Sequence, residues 1–222
     1  MKSKFIPAYL LTFVNVLGFS LLLPVLPFIV EQYKAPEYIY GLLLSLYSLF
    51  QFIGAPYLGR LSDTVGRKPI LMFSQAGTLL SWVIFGFAYF LSEVTIGPIV
   101  LSLVIIGVSR ILDGITGGNS AVAQAYVTDI TTKEEKSYIF GQIGGVVGLG
   151  MIIGPGLGGF LASGAYGYLG MVAGAAFISL ITLLSIFFLL EESLSIEKRK
   201  PPQRPSLSQT FNLAQRIRTL NP

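Results

Sequence analysis

The sequence contains no cysteine and no histidine. Without thiols there is no disulfide framework and no thiolate metal site, and without imidazole the commonest metal ligand and general base is missing. Charge is scarce too: Lys, Arg, Asp and Glu make up 12% of the 222 residues, about half the share usual in a soluble domain. No phosphate-binding loop stands out, and no nucleophile with its base. Neither an enzyme nor a cofactor is expected. The net charge of +4 invites a nucleic-acid partner, but the placement of the basic residues argues against one.

What fills the chain instead is hydrophobic sequence, at 53% of residues, with 25 glycines and a mean hydropathy of +0.71. The apolar residues fall in six long blocks, approximately 5–30, 39–59, 69–91, 96–127, 137–162 and 168–190. Each is long enough for a membrane-spanning helix, which needs roughly 20 apolar residues. The blocks are continuous, whereas membrane strands alternate polar and apolar side chains. The expected fold class is therefore all-α, an integral membrane bundle of six transmembrane helices occupying residues 1–190. The first block is too long for a cleavable signal peptide and lacks its small-residue cleavage pattern.

Basic residues set the orientation. With the N-terminus in the cytoplasm, Lys2, Lys4, Arg60, Arg67, Lys68, Lys133, Lys136, Lys198, Arg199, Lys200, Arg204, Arg216 and Arg218 all fall inside. Only Lys34 falls outside, and Arg110 lies within a span. This bias predicts a multi-pass protein of the cell inner membrane with both termini cytoplasmic and short external connections at 31–37, 92–95 and 163–167. The tail 191–222 is basic and proline-rich, and is expected to be a flexible cytoplasmic linker.

The one dense charge cluster early in the chain is "GRLSDTVGRKPIL", residues 59–71, between the second and third blocks. Orientation accounts for Arg67 and Lys68 but not for Gly59, Asp63 and Gly66. Glycines permit a tight turn, and Pro69 suits the first turn of the third helix. An acid inside a basic connection predicts that Asp63 pairs with an Arg or a helix end.

Arg110 and Asp113 are the ionisable residues placed deep in a span, about 20 Å from one end and 24 Å from the other at 1.5 Å per residue. Such residues usually face a cavity or a partner. Their spacing of three puts them on one helical face, shared with Gly114, Gly117, Ala121 and Gln124. Asp113 is the candidate protonation site, with Arg110 tuning it; a purely structural pair is the alternative. In the fifth block, Gly150, Gly154 and Gly158 recur every four residues, as Gly144 and Gly148 do, which allows close helix contact. Pro155 removes a backbone hydrogen bond there and adds a kink. The amides Asn15, Gln51, Gln124 and Gln142 are cavity candidates or interhelical bonds. The aromatics Phe19, Tyr47, Trp82 and Tyr126 are weaker candidates for contact with a flat ligand.

The pattern G-x-L-x-D-x-x-G-R-K-P resembles the signature loop of the major facilitator superfamily. "RILDGITGG" at 110–118 is similar to the family's R-x-x-x-G signature. "GMIIGPGLGG" at 150–159, with Gly150, Gly154, Pro155, Gly158 and Gly159, is similar to the signature associated with its antiporter branches. Taken with "LLPVLPF" and "NSAVAQAYVTDIT", these stretches most resemble the tetracycline-resistance type of drug:proton antiporter. Two departures stand out: Thr64 follows Asp63 where the family often has Arg, and Asn15 occupies a position where tetracycline exporters carry an acid. The resemblance implies two inverted three-helix repeats, one half of a twelve-span carrier. It implies proton-coupled export of small amphipathic compounds by alternating access, with the 59–68 motif acting as a conformational switch. The expected partners are a small-molecule substrate, protons and the lipid bilayer. A missing C-terminal half, or a second copy of the chain, would complete the carrier. A sugar or other metabolite carrier, or a non-transporting scaffold, are the alternatives.

Overall fold

The computed structural model describes residues 5–91, 94–96, 99–199 and 201. Lys2, Lys4, Lys200 and the part of the expected linker from 202 to 222, with Arg204, Arg216 and Arg218, lie outside the described residues. Among the described residues, seven α-helices form six spans: α1 (Ile6–Gln32), α2 (Tyr38–Val65), α3 (Arg67–Phe87), α4 (Leu101–Gly117), α5 (Ser120–Asp129), α6 (Lys136–Ala162) and α7 (Tyr168–Leu189). The third span ends in a 3-10 turn at Ala88–Leu91, and α4 with α5 makes the fourth span. A helix of 27 residues is ~40 Å long, enough to cross hydrocarbon and both interfaces. Burying every backbone polar group inside the helix is what allows these apolar runs to sit in lipid.

Three boundaries differ from the sequence expectation. The second helix does not stop near Gly59 but continues to Val65. Side chains support its last turns: Ser62 Oγ donates to the Gly59 carbonyl at 2.7 Å and Thr64 Oγ1 to that of Arg60 at 3.3 Å. The turn shrinks to Gly66, whose φ of +118° lies where only glycine is comfortable. The fourth span starts at Leu101 instead of near 96, because the β-branched pairs Thr95–Ile96 and Ile99–Val100 are extended and pair antiparallel. That span is also broken at Gly118 and Asn119. Both glycines before the break press on α2, and Gln51 Nε2 takes up the Gly117 carbonyl at 3.2 Å. A side chain inserted into the backbone ladder beside paired glycines is a recognised cause of helix breaks.

Neighbouring helices repeat a pattern. α1 packs along α6 and α2 along α4, while α3 lies between α4 and α7. Exchanging the first three spans with the last three maps the α1–α6 contact onto α2–α4 and the α3–α4 contact onto α1–α7. Since successive spans cross in opposite directions, two such three-span units are inverted relative to each other.

Burial has three tiers. One apolar cluster joins Leu17–Val30 of α1 to Trp82, Phe85, Ile106 and Tyr168 at one end. A second joins Phe5–Leu11 to Leu58, Ile70, Val122, Tyr126 and Ile186 at the end that carries the 59–69 motif. Between them lies a set of buried polar side chains: Ser74, Gln75, Thr78 and Ser81 of α3, Ser109, Arg110, Asp113 and Thr116 of α4, then Asn119, Ser179 and Thr182. A polar layer therefore crosses the bundle at mid-height, sealed above and below by apolar side chains.

Candidate functional site

At the motif end Arg67 is 7% exposed and sits in a ring of acceptors. Its Nη1 lies 2.7 Å from Asp63 Oδ1 and its Nε 3.0 Å from Asp129 Oδ2. Nη1 also donates to Ser62 Oγ at 2.6 Å. The expectation that Asp63 pairs with an arginine is met by Arg67, one helical turn away. Asp129 and Glu192 were not singled out from the sequence, although both are acids at block ends facing the basic cluster. Glu192, in the segment expected to be linker, folds back over the N-terminus of α3. Its carboxylate accepts the backbone N–H groups of Arg67 at 2.9 Å, Lys68 at 3.2 Å and Leu194 at 3.0 Å. A helix N-terminus has unpaired N–H groups and a positive dipole end, so a carboxylate is a suitable cap. A Cβ on Gly66 would collide with that carboxylate, the second reason for glycine there. Lys68 Nζ donates to the Phe187 carbonyl at 3.0 Å, in the last turn of α7. Gly59 is an ordinary helical residue with open space beside it, so its expected role in the turn is overturned.

At mid-height Arg110 Nη1 lies 3.1 Å from Asp113 Oδ2, with the residues 2% and 6% exposed. The guanidinium stacks over Trp82 at 4.7 Å and Phe85 at 5.1 Å from the ring centroids. Nearby, Ser81 Oγ donates to the Thr78 carbonyl at 2.7 Å and Thr78 Oγ1 lies 3.4 Å from Thr116 Oγ1. Gly114 and Gly117 press on Tyr47 of α2, as their shared face suggested. The break at Gly118 and Asn119 parts Ala121 and Gln124 from that face, leaving both exposed. These four residues do not form one continuous stripe.

A cavity of about 310 Å³ lies among α1, α2, α5 and α6. Three of the four candidate amides, Asn15, Gln51 and Gln124, line it, with the hydroxyls of Thr12, Ser48 and Ser120 and the apolar Val16, Ile143, Val147 and Met151. Phe19 and Tyr47 line it too, stacked at 5.6 Å and 27°. Asn15 Nδ2 donates to Asn119 Oδ1 at 2.6 Å. Gln142 is elsewhere: its Oε1 accepts from Tyr9 and its Nε2 donates to Tyr138, so it is an interhelical bond and not a cavity residue. Trp82 is packed under Arg110, and Tyr126 is buried in the motif-end cluster.

Glycines of α6 divide between two faces. Gly150, Gly154 and Gly158 lie against Val16, Ser20 and Leu21 of α1, and Ser20 Oγ donates to the Gly150 carbonyl at 2.9 Å. A Cβ on Gly144, Gly148 or Gly159 would meet nothing within 4 Å among the described residues, so the helix contact expected of Gly144 and Gly148 is not made in this bundle. Pro155 lies inside α6 without ending it.

Six apolar spans, a sealed polar layer with a buried ion pair, and a polar-and-aromatic cavity between inverted units define a multi-pass membrane protein built like one bundle of a secondary carrier. The chain belongs to the Major Facilitator Superfamily, whose family model matches residues 8–220. It is 34% identical over 218 residues to a class H tetracycline resistance protein of Pasteurella multocida, covering 96% of this chain and 51% of the relative. Multidrug resistance protein 2 of Bacillus subtilis is 35% identical over 199 residues, covering 89% of this chain and 46% of that protein. A crystal structure of the human organic anion transporter MFSD10 superposes with a TM-score of 0.78 at 24% identity, covering 96% of this chain and 53% of that one, a likeness of fold. The chain thus spans about half the length of the curated relatives it matches.

Proposed function

We propose that this chain forms the six-helix N-terminal half of a secondary carrier that exports small amphipathic compounds in exchange for protons by alternating access. The observation that carries this reading is the cavity: three amides and a stacked aromatic pair, placed beside a buried Arg110–Asp113 pair. Amides and hydroxyls orient a polar edge, and aromatic faces hold a flat apolar one. A 310 Å³ cavity is at the small end for a drug-sized ligand, as expected if a second bundle supplies the opposite wall. That bundle is a C-terminal half, or a second copy of this chain. The names of the relatives, tetracycline resistance and multidrug resistance, support export of such compounds. Asp113 is the proton site and Arg110 its counter-ion, and the Asp63–Arg67–Asp129 cluster latches one of the two carrier conformations. The protein lies in the inner membrane with both termini and the motif end in the cytoplasm. Residues 191–199, through Glu192, belong to the latch.

The decisive assay is accumulation of an amphipathic dye in liposomes carrying the complete transporter under an imposed proton gradient. Gradient-dependent accumulation is expected; a carrier that moves the dye equally well without a gradient would contradict antiport. A cysteine placed at Lys34 should label from outside the cell, and labelling from the cytoplasm only would reverse the orientation.

A further inference from the structure

The polar side chains that line the cavity beside the Tyr47 phenol are Thr12, Asn15, Ser48, Gln51, Ser120 and Gln124, and none of them is charged. This wall therefore reads the polar edge of a ligand by hydrogen bonds and their direction, not by charge. A hydroxyl turns to donate or to accept, and an unheld amide can present either end. Among the described residues nothing holds the hydroxyls of Ser48 and Ser120 or the amide of Gln124, so these three adapt to a donor or an acceptor. Asn15 gives one N–H to Asn119 and keeps its second N–H and its oxygen. The Tyr47 oxygen accepts from Gln51 and keeps its own hydrogen.

Gln51 differs from all of these. Its Nε2 donates to the Tyr47 oxygen at 3.1 Å and to the Gly117 carbonyl at 3.2 Å. A carbonyl only accepts, so Nε2 and not Oε1 must face it, and both N–H groups are then spent. What Gln51 has left for a ligand is an acceptor, Oε1. The room for this grip comes from a glycine: a Cβ on Gly117 would stand 3.3 Å from the Tyr47 oxygen and 3.7 Å from Gln51 Nε2. Thr12 leans the same way, since its Oγ1 gives its hydrogen to the Ala8 carbonyl at 2.9 Å. Among the described residues, the polar groups of the cavity with a fixed direction are therefore acceptors. The bond to Tyr47 also puts the held amide at the hydroxyl edge of the Phe19–Tyr47 stack, beside the rim of a flat ligand packed on those rings.

We propose that Gln51 is a specificity-determining residue of this cavity, its Oε1 selecting flat aromatic compounds that carry an N–H or O–H donor on the rim over compounds that carry only an acceptor there. A donor on the rim satisfies the end of the amide that the protein leaves open. An acceptor in the same place meets Oε1 oxygen to oxygen, displaces the water that would otherwise bind it, and leaves a half-buried carbonyl unpaired. The amide cannot turn to meet such a ligand, because turning would set Oε1 against the Gly117 carbonyl. The helix break that frees this carbonyl thus fixes what the cavity selects. The inference rests on the reading of this cavity as the carrier's substrate site.

The test uses two fluorescent dyes of similar size: an aminocoumarin, whose NH2 group donates, and a methoxycoumarin, whose ether oxygen only accepts. Each is titrated against the complete transporter in detergent, and the ratio of the two affinities is taken on one preparation, so that folded yield cancels. The wild type should bind the aminocoumarin about tenfold more tightly, the scale of one hydrogen bond withheld from a buried acceptor. Gln51→Met removes the oxygen and should bring the two affinities to within about twofold of each other. Gln51→Glu loses the grip on Gly117 but keeps an acceptor, and should retain the preference for the aminocoumarin. If Gln51 only braces the helix break, both variants weaken both dyes alike and the ratio stays at its wild-type value, which overturns the proposal. Equal wild-type affinities, with both dyes weakened by Phe19→Ala, overturn the role of Gln51 and leave the export reading standing. Dyes that bind Phe19→Ala and Gln51→Met as tightly as wild type occupy another site, which overturns the reading of the cavity and the inference with it.

Discussion

The two arginine clusters of this bundle are built on opposite plans. Arg67, at the motif end, has two carboxylates and a serine within hydrogen-bond reach, and those carboxylates are about a quarter exposed. Arg110, at mid-height, has one carboxylate and two aromatic faces, and its Nη2 has no hydrogen-bond partner among the described residues. Redundant, half-wet partners make a latch that tolerates the loss of any single contact. A lone, dry pair makes a site where changing one proton changes the whole local charge balance. In the proposed function the first part holds a conformation and the second responds to a proton.

The largest expected effect comes from breaking the dry pair on its acidic side. Asp113→Leu leaves a buried guanidinium with no counter-charge, which costs about 3–5 kcal/mol. Arg110→Met should cost less, because a carboxyl can shed its charge by binding a proton and a guanidinium cannot. Thermal unfolding in detergent would rank the two, and an equal loss would contradict the asymmetry. Next come the glycines of α6. Gly158→Ala puts a Cβ into the Leu21 backbone and should cost about 1–3 kcal/mol, the usual range for overpacking. Gly144→Ala faces open space and should stay within about 0.5 kcal/mol. A modest effect belongs to the latch. Glu192→Gln keeps an acceptor over the N-terminus of α3 but removes the charge, at about 0.3–1 kcal/mol and less at high salt. A loss as large as that of Asp113→Leu would mean that the latch is not redundant.

Much of this was legible in the sequence because it is local. Continuous apolar runs give the spans, i,i+3 spacing gives the Arg110–Asp113 pair, and an acid among bases gives the Asp63–Arg67 contact. The cavity amides Asn15, Gln51 and Gln124 could be named because an amide in a span needs a partner or a cavity. What escaped depends on contacts between distant elements. Nothing near Gln142 says that Tyr9, 133 positions away, will take its carbonyl. The break at Gly118 and Asn119 needs α2 to press on the helix and Gln51 Nε2 to donate to the freed Gly117 carbonyl. Asp129 and Glu192 sit at block ends, where sequence alone does not say which helix end lies beside which. The second helix overran Gly59 because Ser62 and Thr64 cap carbonyls inside the turn, which composition had marked as a loop.

The central claim is that the dry Arg110–Asp113 pair, and not the wet Arg67 cluster, couples protons to transport. The most direct measurement compares gradient-driven accumulation with counterflow exchange in liposomes for Asp113→Asn, normalised to folded protein. The expected result is loss of gradient-driven accumulation with counterflow retained, since exchange of substrate for substrate needs no proton. Retention of both activities, with the wild-type dependence on pH, would contradict the claim and place the coupling acid outside this bundle.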